Sequence, residues 1–444
     1  MTKNKLDLIF KSYDIRGVFN DEINTSDAFK IAKAFSYFVK ADEIIIGHDG
    51  RISNLEMYSA VAAGVKSTGT NVRYIGLVPT DVVYSVSGLL NLPGIVITAS
   101  HNPKEYTGLK LCNAGAIPIG ENSGLLEIKK DVLSMVDEEF TPEVSEPQSS
   151  IEIYFDHIRK LVNPDDISNE ISFGIDGGNG AIGSIIENLK TQYKLNFMPL
   201  YLEVDGNFPN HPADPSDENN LQDLIKLVTT NNLDFGVAFD GDADRAVFID
   251  NEGNVISGSM MTAFIADYLV AKNNKVKVVH NVNVSPHALD LLTKKGVKLI
   301  RTKVGHSNIK AVMREENADF GGEHSAHFYY KENFFADSAI LTLLVFLNII
   351  SEKNQSINEM ISAYNFPPSS GEINFKVDNI QTSINNIENI FEGEFDYLDG
   401  LSYFGKNFWF NIRGSNTEPK LRVNIEAKTE NLLSEVLEKI SSNI

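Results

Sequence analysis

The sequence predicts an α/β protein: three topologically related mixed α/β domains and a smaller α+β C-terminal domain, arranged around a central cleft. Three observations carry this. Short apolar runs alternate with segments of helical periodicity through most of the 444 residues, as in βαβ units with mostly parallel sheets. Three of those runs open into a polar turn in the same way: IIIGHDGR (44–51), FGIDGGNG (173–180) and VVHNVNVS (278–285). The C-terminal segment departs from the pattern, with alternating strands around FWFNIRGSNTEPKLRVNIEA (408–427) and a closing helix from about Asn431 to Ser441.

The first elements can be read in order. Ile31, Ala34, Phe35, Phe38 and Val39 recur at 3-and-4 spacing behind Ser26 and Asp27, which read as a helix cap. EIII (43–46) is a strand, Leu55 to Lys66 an alanine-rich helix, and Val72 to Leu77 a second strand. Polar breaks fall at TPEVSEPQSS (141–150), DNEGN (250–254) and FPPSSGE (366–372). They predict domains over 1–147, 148–252, 253–366 and 367–444, each of ordinary size. A single core rarely extends past about 250–300 residues.

Composition narrows the function. The chain is 42% hydrophobic and 22% charged, ordinary for a globular protein, and its net charge is −21. Such a charge repels nucleic-acid phosphates and anionic lipid, so a small anionic substrate needs a local basic pocket. The single cysteine, Cys112, excludes an intramolecular disulfide and a cysteine-rich metal site. MTKNKLDLIF shows no long apolar h-region and no small-residue cleavage site, and no run reaches about 18 apolar residues. The expected location is the cytoplasm.

Four loops carry chemistry. GIVI leads into TASHNP (98–103), which places Ser100 and His101 at a strand end, where ligands of α/β sheets bind. There is no G-x-S-x-G elbow for a hydrolase serine, and the adjacent His101 ring is poorly placed to reach its own neighbour's hydroxyl. DGDADR (240–245) alternates Asp240, Asp242 and Asp244. Three crowded carboxylates call for a cation, and oxygen ligands suit Mg²⁺ or Ca²⁺. An EF-hand needs glycine at loop position six and glutamate at twelve, where this loop has Arg245 and Asn251. Arg245 is then free to meet a phosphate. GGEHSAHF (321–328) alternates Glu323, Ser325 and His327, a set suited to sugar hydroxyls. RGSNTEP (413–419) offers Arg413, Ser415, Asn416 and Thr417 as a phosphate cradle. Tyr13 and Arg16 in SYDIRG, and Lys303 and His306 before a predicted helix, complete the set. Each loop alone also reads as an ordinary turn. Together they describe phosphoryl transfer on a phosphorylated polyol.

TASHNPKEYTGLKL, FDGDADR, GGEHSAHFYYKENFFADS and RGSNTEPKLRV, in this order, resemble the α-D-phosphohexomutase family, in its bacterial phosphomannomutase/phosphoglucomutase branch. The likeness covers essentially the whole chain. It implies a phosphoserine at Ser100, with Mg²⁺ held by Asp240, Asp242, Asp244 and an oxygen of that phosphoserine. It also implies a hexose 1,6-bisphosphate as intermediate and activator. By the same resemblance the four domains carry the phosphoserine, the metal, the sugar and the phosphate site. Lys110 and His327 are proton carriers, and His101 and Arg245 surround the phosphoserine. Glu323 and Ser325 meet sugar hydroxyls, as His327 also does. Arg413, Ser415, Asn416 and Thr417 bind phosphate. Tyr13, Arg16, Lys303 and His306 face the ligand. Two positions depart from the family pattern: Asn283 is uncharged where relatives often carry a basic residue, and His324 stands where many have methionine or glutamine. The implied reaction interconverts mannose 6-phosphate and mannose 1-phosphate, with glucose phosphates as further substrates. Phosphoglucosamine mutase and a non-catalytic sugar phosphate-binding protein are the alternatives. The expected partners are sugar phosphates, not nucleic acid or membrane, and the expected state is a monomer or homodimer.

Overall fold

EIII begins a strand that runs on to His48, and its apolar residues are buried because both faces are covered. In the computed structural model, which describes residues 3–273, 275–353, 355–414 and 420–444, this strand sits mid-sheet. The elements run α1 (Lys3–Ile9), β1 (Ile15–Val18), α2 (Thr25–Val39), β2 (Glu43–His48), α3 (Asn54–Lys66), β3 (Asn71–Leu77), α4 (Thr80–Leu90), β4 (Gly94–Ile97) and β5 (Tyr106–Asn113). Strand order is β1-β5-β4-β2-β3. β2 is parallel to β3 and β4, while β5 is antiparallel to both β4 and β1. A core of Ile, Val, Ala and Phe side chains joins α2 and α3 to the sheet. The helix expected behind Ser26 and Asp27 forms, but its cap is Asn24. The Asn24 side chain accepts from the Asp27 N–H, and the Asp27 carboxylate accepts from the Asn24 N–H, each at 3.0 Å. Asp27 lies inside the first turn and closes a capping box.

The same plan recurs. Strand Ser172–Asp176 has parallel neighbours on both sides, Asn196–Leu200 and Phe235–Phe239, and Phe235–Phe239 turns back antiparallel into Ala246–Ile249. Strand Lys277–Asn281 likewise lies between parallel neighbours Lys298–Thr302 and Phe320–Gly322. In each case one strand carries a parallel partner on each flank, as β2 does, which is why the three turns looked alike in sequence. The C-terminal sheet is wholly antiparallel, in the order 369–376, 420–427, 408–414, 401–404, 395–396. Helix Glu430–Ser441 packs its Leu433, Val436 and Ile440 into that sheet's core. The break read at 366–372 is shorter than expected, because a strand begins at Ser369.

The described chain forms two compact units. One contains the residues up to Ile256 together with His327–Asn358; the other contains Ser257–Ala326 together with Glu359–Ile444. Among the described residues, no helix is long and apolar enough to cross a membrane.

Candidate active site

β4 ends at Ile97, and the chain then enters the TASHNP loop of the first unit. Ser100 takes a left-handed backbone, with φ of 52°. An L-residue adopts this conformation only where its surroundings impose it. The fold-back brings His101 Nδ1 to 3.2 Å from Ser100 Oγ, so the ring does reach its neighbour's hydroxyl, contrary to the expectation from adjacency. Ser100 Oγ also donates to Asp240 Oδ2 at 2.8 Å, across 140 positions of sequence.

Asp240 follows the fully buried strand FGVAF. Its Oδ1 accepts the N–H groups of Asp244 and Arg245, each at 3.1 Å, and Oδ2 accepts Arg245 Nε at 3.0 Å. One carboxylate thus folds its own turn and aims it at the serine. Gly241 makes the approach feasible, since a Cβ there would lie 2.5 Å from the Ser100 carbonyl oxygen. Asp242 accepts from Thr80 Oγ1 at 2.6 Å and from Lys110 Nζ at 2.7 Å. Lys110 also pairs with Asp244, and His327 Nε2 lies 3.4 Å from Asp244 Oδ1. Lys110 stands on β5 opposite Val96 of β4, so hairpin register fixes its place beside the serine loop.

The electrostatics follow from burial. Burial, and then the Asp244 carboxylate, push Asp240 up to about 7. For Asp244 burial works in the same direction, but Lys110 and His327 outweigh it and hold the group well below the usual carboxylate range. Burial drives His101 well below the ordinary imidazole value, and the Arg245 charge adds to this. Asp214, 3.4 Å from Arg245, is opposed by burial yet drawn down to about 2 by Arg245 and His101.

One oxygen from each of Asp240, Asp242 and Asp244 lies within 4.8 Å of the others, and Asp242 Oδ1 is buried with no hydrogen-bond partner. This donor set of hard oxygens fits a divalent cation. Asp244, His327 and Asp337 form a second such group, sharing Asp244. Arg16 closes the other side of the serine loop, donating to Asp14 at 2.7 Å, to the Ala99 carbonyl at 3.1 Å and to Asn102 at 2.7 Å. Tyr13 is half-buried just before it.

The second unit holds the remaining candidates. Glu323 is buried, and its Oε1 accepts from Asn281 Nδ2 at 2.8 Å and from the Gly305 N–H at 3.2 Å. That ties GGEHSAHF to the end of one strand and to the turn after its neighbour. Ser325 is half-buried, Lys303 is exposed, and His306 opens helix His306–Glu316. Arg413 stands next to last in strand Phe408–Gly414 and pairs with Glu372 at 3.2 Å. Ser415, Asn416 and Thr417 lie outside the described residues. Uncharged Asn283 is buried, and His324 Nδ1 lies 3.0 Å from Ser259 Oγ.

Comparison with known proteins decides what this arrangement is. Models of phosphoglucomutase/phosphomannomutase α/β/α domains I, II and III match residues 7–135, 152–253 and 257–365, and the model of that family's C-terminal domain matches 372–442. A phosphomannomutase of Methanocaldococcus jannaschii is 33% identical over 98% of this chain and 97% of its own length. The chain belongs to the phosphoglucomutase/phosphomannomutase family. It is a phosphosugar mutase, an isomerase acting as an intramolecular phosphotransferase in carbohydrate metabolism. A phosphomannomutase of Escherichia coli K12 is also 33% identical, over 94% of each chain. Among solved structures, a phosphoglucomutase/phosphomannomutase family protein from Burkholderia thailandensis superposes with TM-score 0.87 at 27% identity, over 100% of this chain and 97% of that one.

Several residues that shape this mutase's serine loop escaped the sequence reading. Arg51, Asp49, Thr98, Thr80 and Asp214 all contact the loop or its acidic partner directly or through one residue. The signal for the first two was the polar turn GHDGR, which reads in sequence as a strand end and nothing more.

Proposed function

We propose that the protein interconverts hexose 6-phosphate and hexose 1-phosphate, mannose phosphates first and glucose phosphates second, with Ser100 carrying the phosphoryl group. The observation that supports this best is the 2.8 Å hydrogen bond from Ser100 Oγ to Asp240, inside a buried three-carboxylate cluster. The preference for mannose rests on relatives named phosphomannomutase that match nearly the whole chain. The four domains of the sequence reading divide the labour: 1–147 carries the serine, 148–252 the carboxylates, 253–366 the sugar loop and 367–444 the phosphate cradle.

The working form has a phosphate esterified to Ser100 Oγ. A free hydroxyl of the bound hexose monophosphate attacks phosphorus, and the bond to Oγ breaks. The hydroxyl's proton leaves and a proton arrives at Oγ, so the step balances. A hexose 1,6-bisphosphate results, turns over, and returns its other phosphate to Ser100. Asp240, Asp242, Asp244 and a phosphoserine oxygen would hold Mg²⁺, which would neutralise charge and make phosphorus more electrophilic. Lys110 and His327 move the protons, while His101 and Arg245 line the ester. Glu323, Ser325, Lys303 and His306 orient the sugar. Arg413, with Ser415, Asn416 and Thr417, grips the phosphate that is not reacting, and Tyr13 and Arg16 close over the ligand.

The test is an intact-mass measurement of the isolated protein, followed by turnover on mannose, glucose and glucosamine 1-phosphates. One phosphate on wild type, none on Ser100→Ala, and fastest turnover of the mannose ester are expected. Full turnover by Ser100→Ala would remove the carrier role, and a preference for the glucosamine ester would change the substrate.

A further inference from the structure

Arg51 touches none of the groups assigned to substrate, cation or proton transfer, yet it is wholly buried beside them. Its two terminal nitrogens donate to four backbone carbonyls, three in the serine loop and one at the first residue of β5. One nitrogen reaches Pro103 O at 2.7 Å and Tyr106 O at 3.0 Å; the other reaches Ser100 O at 2.8 Å and Asn102 O at 2.6 Å. A second support comes from the strand side. Thr98 Oγ1 accepts the Ser100 N–H at 2.8 Å and donates to Asp49 Oδ2 at 2.6 Å. Asp49 joins the two supports, because its Oδ1 accepts the Arg51 N–H at 3.0 Å and its Oδ2 lies 3.4 Å from Arg51 Nε.

Ser100 is therefore held at both of its backbone polar groups, the N–H through Thr98 and the carbonyl through Arg51. Those bonds fix the peptide planes on either side of a left-handed, non-glycine residue. Such a conformation persists only when its surroundings over-determine it. Arginine suits the task because its planar fork offers several donors in fixed directions, whereas a lysine ammonium is a point charge on a flexible stem.

We infer that Arg51, with Thr98 and Asp49, positions the phosphoryl-carrying serine, acting through the loop backbone and not on the substrate. The inference rests on the carrier role of Ser100 proposed above. It assigns to the GHDGR turn a part in the rate of phosphoryl transfer.

Two variants test it, Arg51→Lys and Thr98→Val, with Thr98→Ser as the conservative control. Each is first checked for cooperative thermal unfolding. The rate at which hexose 1,6-bisphosphate loads phosphate onto Ser100 is then followed by intact mass, beside kcat and KM. A misplacement of about 1 Å at a reacting atom costs on the order of 100-fold, so loading rate and kcat should both fall at least about ten-fold. KM should stay within about two-fold, and Thr98→Ser should recover most of the loss, because uniform binding is untouched. A purely structural role would lower the melting temperature and leave loading by the folded molecules unchanged; that result in either folded variant overturns the inference. So does a rise in KM at constant kcat. If wild type itself neither loads phosphate nor turns over, the carrier reading has failed. If wild type loads and the variants load equally fast, this inference alone has failed.

Discussion

Replacing Ser100 by alanine removes one oxygen and leaves the loop's backbone supports in place, so turnover should vanish while sugar phosphate binding, read by calorimetry, persists. Gly241→Ala tests the neighbouring approach. The added methyl would sit 2.5 Å from the Ser100 carbonyl, so kcat should fall about 10- to 100-fold in a folded protein; an unchanged kcat would show that the two turns need not be so close. In the proposed cradle role, Arg413→Ala removes a charge-assisted contact to substrate phosphate worth about 1.5–3 kcal/mol, and KM should rise accordingly, with little change in kcat. At this scale the sequence was informative about identity and poor on surroundings. The serine, the three aspartates and Arg413 announce themselves as polar groups after apolar strands. What no spacing could reveal is that Asp240 would fold its own turn through Asp244 and Arg245, or that His101 would bend back onto Ser100. The second depends on left-handed Ser100, whose backbone is held by residues far away in sequence.

Helix α4 shows how elements are tied together. Its buried Asp81 accepts from Ser85 on the same helix, from Tyr154 on helix Ile151–Leu161, and from Asn333 and Ser338 in the returning segment of the first unit. Asp81→Ala would strand several buried donors at about 1–3 kcal/mol each. A loss of roughly 3 kcal/mol or more in chemical denaturation is expected, and a loss below about 1 kcal/mol would mean that the donors find other acceptors. Strand and helix existence was largely legible, since β2, α3, β3 and the closing helix follow their apolar periodicity to within a few residues. Cap identity was not. Ser26 and Asp27 have the right chemistry, but Asn24 stands where the chain enters from the extended region. Asp81 carried no sequence signal, because one acidic residue at a helix start reads as a solvated one.

Across the whole molecule, five buried histidines weaken the fold in acid. Burial lowers His48, His101, His157, His280 and His324, and takes His280 to about 4. In the unfolded chain these groups titrate near 6.5. Below about 6.5, and for His280 down to about 4, the unfolded state therefore binds more protons at these sites, and their contribution to stability falls as pH falls. His211 works the other way: burial opposes it, but Asp176 at 3.0 Å raises it, so its contribution is full below about 6.5 and fades as pH rises through the folded value. Asp240, raised to about 7, works in the opposite sense over the same window, so the histidine share is read by difference. The denaturation midpoint of His280→Asn should fall less from about pH 6.5 to about pH 4.5 than that of wild type, and parallel profiles would contradict a buried neutral His280. The hairpin of β4 and β5 has a consequence for turnover. It carries the serine loop at one end and Lys110 in register with Val96, so Ser100 and Lys110 travel as one rigid piece. Their separation is not a variable that solvent drag can influence. With ligand already bound, single-turnover phosphoryl transfer should therefore ignore an added viscogen, while the proposed reorientation of a hexose 1,6-bisphosphate between two transfers should slow in proportion.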